Sequence, residues 1–252
     1  MKHAVVTGAS SGIGEATARL LADEGWQVLM VARRGDRLER LASELADASA
    51  LAVDLTEPDA PARIRSAVDE RFDRRLELLV NNAGGSRRAA FGDGDGGYAN
   101  VREIMEVNFD AVVRLTEELL PLLRASAPSS IVNVSSVAGR VARPRSGAYS
   151  ASKFALAGWN DALQMEEAGN RVHVGLVLPG FIATEGFPQE SLRAKAATRW
   201  LVSTPEKAAQ AILRAGPGGR PEVVVPGFYR VAPVLRAIAP GLVRRMVGGM
   251  SV

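Results

Sequence analysis

Tyr149 and Lys153 are the residues whose types and spacing suggest chemistry most directly. They stand four apart in a helical stretch, so their side chains share one face. An ammonium beside a phenol stabilises the phenolate and draws its pKa down from about 10 towards working pH. A general acid/base serving a carbonyl/alcohol pair needs that property. Taken alone, the pair also fits an ordinary helix surface. Asn108 falls inside a long helical pattern, 101–123. Asn suits that position poorly because its amide competes for backbone hydrogen bonds. It marks either a functional break or a plain kink.

A second constellation lies near the start of the chain. A short apolar run leads into Thr7-Gly8-Ala9-Ser10-Ser11-Gly12-Ile13-Gly14, and a helical pattern follows. Glycines let the backbone turn sharply and approach a ligand closely. The helix N-terminus then offers free N–H groups and a positive dipole end to a pyrophosphate. The spacing is G-x-x-x-G-x-G, not the commoner G-x-G-x-x-G.

The elements that position these residues alternate. Apolar runs at 5–6, 28–31, 50–53, 78–80, 131–134, 172–178 and 223–225 form the cores of seven candidate strands. Amphipathic stretches at 14–24, 37–46, 61–72, 101–123 and 151–168 lie between them. This alternation implies an α/β fold: one doubly wound Rossmann-type domain, 1–252, with a parallel sheet covered by helices on both faces. Nearly all-apolar strands suit a sheet buried on both faces. Asp36 with Glu39 reads as a capping box for the second helix. Gly25 and Gly169 read as closing the first and fifth helices. The run Gly92-Asp93-Gly94-Asp95-Gly96-Gly97 lacks the later ligands of a calcium loop and reads as a flexible loop.

Composition excludes several classes. The chain has 252 residues, 47% hydrophobic, with a net charge of +3 from 31 basic and 28 acidic residues. That small surplus is not a nucleic-acid footprint. With no cysteine, thiolate catalysis, disulfides and Cys-ligated zinc are excluded. His3 and His173 are the only imidazoles, so no metal site is expected, and His173 reads as a structural residue within the sixth strand. No signal peptide or run of about 18 apolar residues occurs, and the expected location is the cytoplasm.

Thr7 to Gly14, Asn81-Asn82-Ala83-Gly84, Asn108, Ser136, Tyr149-x-x-x-Lys153 and Pro179-Gly180 together resemble the short-chain dehydrogenase/reductase family, in its order and spacing and across almost the whole chain. The resemblance implies a seven-stranded sheet, a nicotinamide cofactor and a homodimer or homotetramer. It implies a catalytic set of Asn108, Ser136, Tyr149 and Lys153. Ser136 would hold the substrate oxygen, and Asn108 would hold a water linked to Lys153. It places Gly8, Ser10, Ser11, Gly12, Ile13, Gly14, Asn81, Ala83, Gly84, Tyr149, Lys153, Pro179, Gly180, Ile182 and Thr184 against the cofactor. Asp54, with Leu55, matches the position that contacts adenine, although Asp54 could equally be a turn former. Neighbouring Ser135 should point elsewhere, because strand side chains alternate.

A ribose-binding acid is expected about 20 residues beyond the glycines. The sequence there reads Val31-Ala32-Arg33-Arg34. An acid would repel a 2′-phosphate, whereas arginine can grip it, so Arg33 and Arg34 point to NADP(H) unless they are merely solvated. The expected reaction interconverts a ketone and a secondary alcohol. The rivals are a 3-oxoacyl-acyl-carrier-protein reductase, whose usual Asp-Gly-Gly ending is missing, and a non-catalytic NADP(H)-sensing regulator. Phe181, Phe187, Trp200 and Leu201 suggest an apolar substrate. Residues 228–252 form a helical extension that Pro240 should split. Its stripe of Val231, Val234, Leu235, Ile238, Leu242, Val243 and Met246 is expected to pack on the cleft side or a subunit interface. Contact with an anionic membrane surface is the second reading.

Overall fold

The computed structural model describes residues 1–185, 187, 192, 194 and 198–248. Seven strands form one parallel sheet: β1 (Lys2–Thr7), β2 (Trp26–Ala32), β3 (Ala48–Ala52), β4 (Leu78–Asn81), β5 (Ser129–Val134), β6 (Val172–Pro179) and β9 (Glu222–Val225). Their order is β3-β2-β1-β4-β5-β6-β9. The chain winds outward from β1 to β3, then returns to lay β4 beside the other edge of β1. At that reversal the connections leave on opposite faces and open a crevice at the strands' carboxyl ends.

Alternation along each strand feeds two cores. Val5, Leu29, Leu79, Ile131 and Val174 pack towards α3 (Ala60–Arg71), α5 (Ala111–Ala125) and α6 (Gly147–Glu167). Val6, Val28, Met30, Val80 and Val132 pack towards α1 (Gly12–Asp23), α2 (Gly35–Glu44) and α7 (Pro205–Ala215). The apolar runs read from the sequence are strands covered on both faces, except that β3, at the sheet edge, is only partly buried. A further parallel pair, β7 (Phe181–Ile182) with β8 (Val202–Ser203), was not expected.

Helix ends depart from expectation twice. The carbonyl of Arg34 already accepts from Leu38 N at 3.2 Å, so α2 begins at Gly35 and Asp36 lies inside its first turn without capping it. The capping box is absent, and the Asp36 charge instead faces the positive end of the helix dipole. Gly25 does close α1 with a positive φ of 79°, but Gly169 does not close α6. A tight turn, Ala168–Asn170, continues the chain, and Arg171 takes the left-handed conformation at φ 58°. The long 101–123 pattern divides into α4 (Tyr98–Met105), a π-helical turn, Glu106–Asp110, and α5.

The C-terminal extension splits at Pro240 into α8 (Val231–Ile238) and α9 (Pro240–Gly248). Its entry packs beside the cleft. Tyr229 Oη donates to Leu201 O at 3.2 Å, Phe228 stacks near Trp200, and the Arg236 guanidinium sits 4.9 Å above the Phe154 ring. Within this chain Val243 is buried, whereas Val231, Val234, Ile238, Leu242 and Met246 are exposed. Among the described residues, no helix is long and apolar enough to cross a membrane and no metal-binding cluster occurs.

Gly175, in the middle of β6, lies against the end of α7. A Cβ built there would meet Ala215 O at 2.0 Å. We expect Gly175→Ala to cost about 1–3 kcal/mol through overpacking and to lower the Tm by several degrees. An unchanged thermal melt would contradict this packing.

Candidate active site

The crevice is stapled by one side chain. Thr7 Oγ1, fully buried, donates to Val80 O and accepts from the amides of Asn82 and Ala83, each at 3.0 Å. Asn82 Nδ2 donates to Thr7 O at 2.9 Å. The glycines then leave no room for side chains. A Cβ on Gly14 would meet Gly8 O at 2.3 Å, and one on Gly8 would meet Ala83 Cα at 2.9 Å. Gly8 and Gly12 adopt positive φ of 66° and 60°. Ser11 precedes α1 without capping it through its side chain, which leaves the first-turn amides without a cap among the described residues. Thr184 closes over this turn, its Cγ2 lying 3.0 Å from where a Cβ on Gly12 would stand.

Four predicted catalytic side chains converge at the ends of β4, β5 and β6. Tyr149 and Lys153 occupy the opening turns of α6. Ser136 Oγ accepts the Ala138 amide and donates to Pro179 O at 3.3 Å, and its hydroxyl favours the ionised form of the Tyr149 phenol. Ser135 turns away, as expected, and its hydroxyl donates to Lys153 O. Lys153 Nζ donates to Val134 O at 2.9 Å and lies 5.9 Å from the Tyr149 ring centroid. Asn108, fully buried in the π-helical turn, exchanges hydrogen bonds with Gly85, accepting from its N at 2.8 Å and donating to its O at 2.9 Å. It also donates to Ser152 Oγ, which in turn donates to Tyr149 O. Gly84 lies between Asn108 Oδ1 and Lys153 Nζ: a Cβ there would stand 2.9 Å from the former and 3.5 Å from the latter.

Burial lowers the Lys153 ammonium to about 8. Burial pushes the Tyr149 phenol above its ordinary value, opposed by the Ser136 hydroxyl and the charge of Arg143. The expectation that Lys153 draws the phenol down is therefore not met. The Lys153 ammonium donates to a backbone carbonyl and lies near the Tyr149 ring, and the charge that opposes the rise of the phenol is that of Arg143.

Other predicted residues are placed as follows. Arg34 folds back over the glycine turn and donates to Ser10 Oγ at 3.0 Å and Ser11 Oγ at 2.6 Å. Arg33 is exposed, 3.8 Å from Asp54. Asp54 caps its own turn, accepting from the amide and hydroxyl of Thr56, and Leu55 is buried in the core. The Asn81 side chain points into the protein, donating to Thr116 and Asn133. Gly180 packs against the Tyr229 ring, and Ile182 is buried. His173 Nε2 is hydrogen-bonded to Ala215 O at 2.8 Å, a structural contact. Sequence reasoning missed Ser152, the Thr7 staple and Arg143. The first two had no signal beyond a small polar residue beside a motif.

The short chain dehydrogenase family model matches residues 2–194. The chain belongs to that family. It is similar to the dehydrogenase/reductase SDR family member 7B of Bos taurus, 32% identical and aligned over 98% of this chain and 80% of that protein. It is also similar to sulfoacetaldehyde reductase 2 of Chromohalobacter salexigens, 35% identical over 72% of this chain and 73% of that protein. Among solved structures, a Pseudomonas aeruginosa RhlG/NADP active-site complex matches with a TM-score of 0.77 and 31% identity, covering 88% of this chain and 93% of that one. This is an oxidoreductase family that uses an NAD(P) cofactor. The glycine cradle, which added Cβ atoms would fill, and the uncapped amides opening α1 fit such a dinucleotide.

Lys153 carries its proton below about pH 8 and sheds it above. Activity that depends on the ammonium is therefore present below that pH and lost as pH rises through it. We expect kcat/KM for carbonyl reduction to fall through an apparent pKa near 8, and the limb to vanish in Lys153→Arg. A limb that survives in Lys153→Arg would assign it to another group.

Proposed function

We propose that this chain is an NADP(H)-dependent oxidoreductase interconverting a ketone and a secondary alcohol. The observation that carries the reading is the meeting of Ser136 and Tyr149 with a buried Lys153 beside the glycine cradle. A bound nicotinamide supplies the hydride chemistry, and the chain's own residues place the substrate and handle the proton. Ser136 Oγ holds the carbonyl oxygen. Tyr149 Oη donates a proton to that oxygen in reduction and takes it back in oxidation. Lys153 contributes positive charge beside the reacting groups and would hold the nicotinamide ribose. Asn108 fixes Gly85 and, through Ser152, the start of α6, and connects Lys153 to solvent through water. Gly8, Ser10, Ser11, Gly12, Ile13, Gly14, Ala83, Gly84, Pro179, Gly180, Ile182 and Thr184 would line the cofactor, with Asp54 and Leu55 at the adenine end. Asn81 supports that surface from beneath.

The NADP preference rests on Arg33 and Arg34, with no acid at the end of β2. Arg34 already engages two hydroxyls of the phosphate turn, and the exposed Arg33, held only by a long ion pair to Asp54, can turn to a 2′-phosphate. The protein is read as cytoplasmic. A homodimer or homotetramer is supported by the exposed apolar stripe of α8 and α9. A carbonyl substrate agrees with a relative named for reducing sulfoacetaldehyde.

Tyr149→Phe is expected to lower kcat by roughly 10²–10⁴ while NADPH still binds, as read by fluorescence titration. Near-parental turnover in that variant would sink the mechanism. Arg33→Ala and Arg34→Ala should each weaken NADPH use by on the order of 1.5–3 kcal/mol in kcat/KM, with a smaller effect on NADH. Equal losses with both cofactors would mean that the arginines only hold the turn.

A further inference from the structure

Arg143 stands in the segment between Ser136 and Tyr149, and the proposed mechanism does not use it. Its guanidinium lies 5.2 Å from the Phe181 ring centroid, and its charge acts on the phenols of Tyr149 and Tyr229. It is thus held against an aromatic wall beside the acid/base. Among the described residues it has no carboxylate and no hydrogen-bond acceptor. A guanidinium carries five N–H donors in a fixed fork, so these remain available to a ligand.

A second cation stands on the neighbouring loop. Ala89 N donates to Arg145 O at 3.0 Å, which pins the loop after Gly85 to the loop carrying Arg143. Arg88 is on that pinned loop, exposed and without an acidic partner among the described residues, and its charge reaches Arg143. Burial, and then Arg88, lower the Arg143 pKa. Two like charges held together oppose each other, and an anion placed between them relieves that opposition. Three other arginines are paired with carboxylates. Arg87 pairs with Glu103, Arg37 with Glu185, and Arg140 with Glu222.

We propose that Arg143, assisted by Arg88, binds an anionic group of the substrate, so that the preferred substrate is a carbonyl compound carrying a carboxylate or a similar oxyanion. The inference rests on the oxidoreductase reading of the same site. Phe181 and Tyr229 supply an apolar wall for the substrate's carbon skeleton, which narrows the expected apolar substrate to an amphipathic anion. The Arg143 fork fixes one end of the substrate while Ser136 and Tyr149 take the carbonyl oxygen, and two anchors orient the reacting carbon.

The test compares charged and neutral carbonyls of the same skeleton: benzoylformate with its methyl ester, and levulinate with its methyl ester. The parent enzyme should favour the acids in kcat/KM, on the order of 10- to 100-fold, chiefly through KM. Arg143→Gln should collapse the acid-to-ester ratio towards unity, Arg143→Lys should retain part of it, and Arg88→Gln should reduce it less. Thermal melts and NADPH titration confirm that each variant folds and binds cofactor. An acid-to-ester ratio near one in the parent, or an unchanged ratio in Arg143→Gln, overturns the proposal. If the parent binds NADPH but turns over none of the four compounds, the oxidoreductase reading fails for such carbonyls. The anion site is then judged by benzoate alone. A benzoate-induced rise in Tm, present in the parent and lost in Arg143→Gln, supports the site, and its absence from the parent overturns it.

Discussion

The pairing of β1 with β4 is the constraint on which the site depends. It places two strand ends side by side at the point where the chain reverses its winding, and their connections depart to opposite faces of the sheet. Strand ends that diverge in this way leave backbone groups without partners. The Thr7 hydroxyl meets that need, bonding Val80 O and two successive amides of the β4 loop. A side chain with one donor and two acceptor positions is thereby fully used. The separation of the two loops is fixed by hydrogen bonds, and only glycine fits between them at positions 8 and 14.

Beneath the site runs a second set of buried polar contacts. Asn81 donates to Thr116 and Asn133, and Asn133 donates to Asn160 on α6. Buried amides are costly when unpaired, so such a chain of contacts favours one arrangement of strand against strand and helix against sheet. Asn81 lies opposite Asn133 in the β4–β5 register, so the chain crosses the sheet where that register matters. Asn160 shares α6 with Tyr149 and Lys153. The same contacts therefore hold the helix that carries the acid/base.

Much of this was legible in the sequence because the sheet is covered on both sides, which turns its strands into apolar runs such as Ile131 and Val132. The convergence of Ser136, Tyr149 and Lys153 was legible through spacing that a known family shares. The misread features are those in which local chemistry has more than one solution. Asp36 and Glu39 have the composition of a cap, but the Arg34 carbonyl starts the helix earlier. Gly169 could have closed α6, yet Arg171 takes the left-handed position that leads into β6. The β7–β8 pair is two residues long on each side, too short for periodicity to register. The surroundings of Arg143 come from Phe181 and Tyr229, remote in the chain, and no local pattern announces them.

The wide turn at Glu106–Asp110 has a geometric consequence for chain length. A π-turn widens the helix to hold one extra residue, and the helices before and after it keep nearly the same phase. Removing one residue there would close the widened turn to an ordinary α-helix and re-aim the side chains inside it. Asn108, inside the turn, could not keep its two bonds to Gly85. This stretch is thus closed to insertion and deletion. The slack lies instead in the glycine run just upstream, where Gly92, Gly94 and Gly97 have open space around them and the chain can change length without re-aiming a helix.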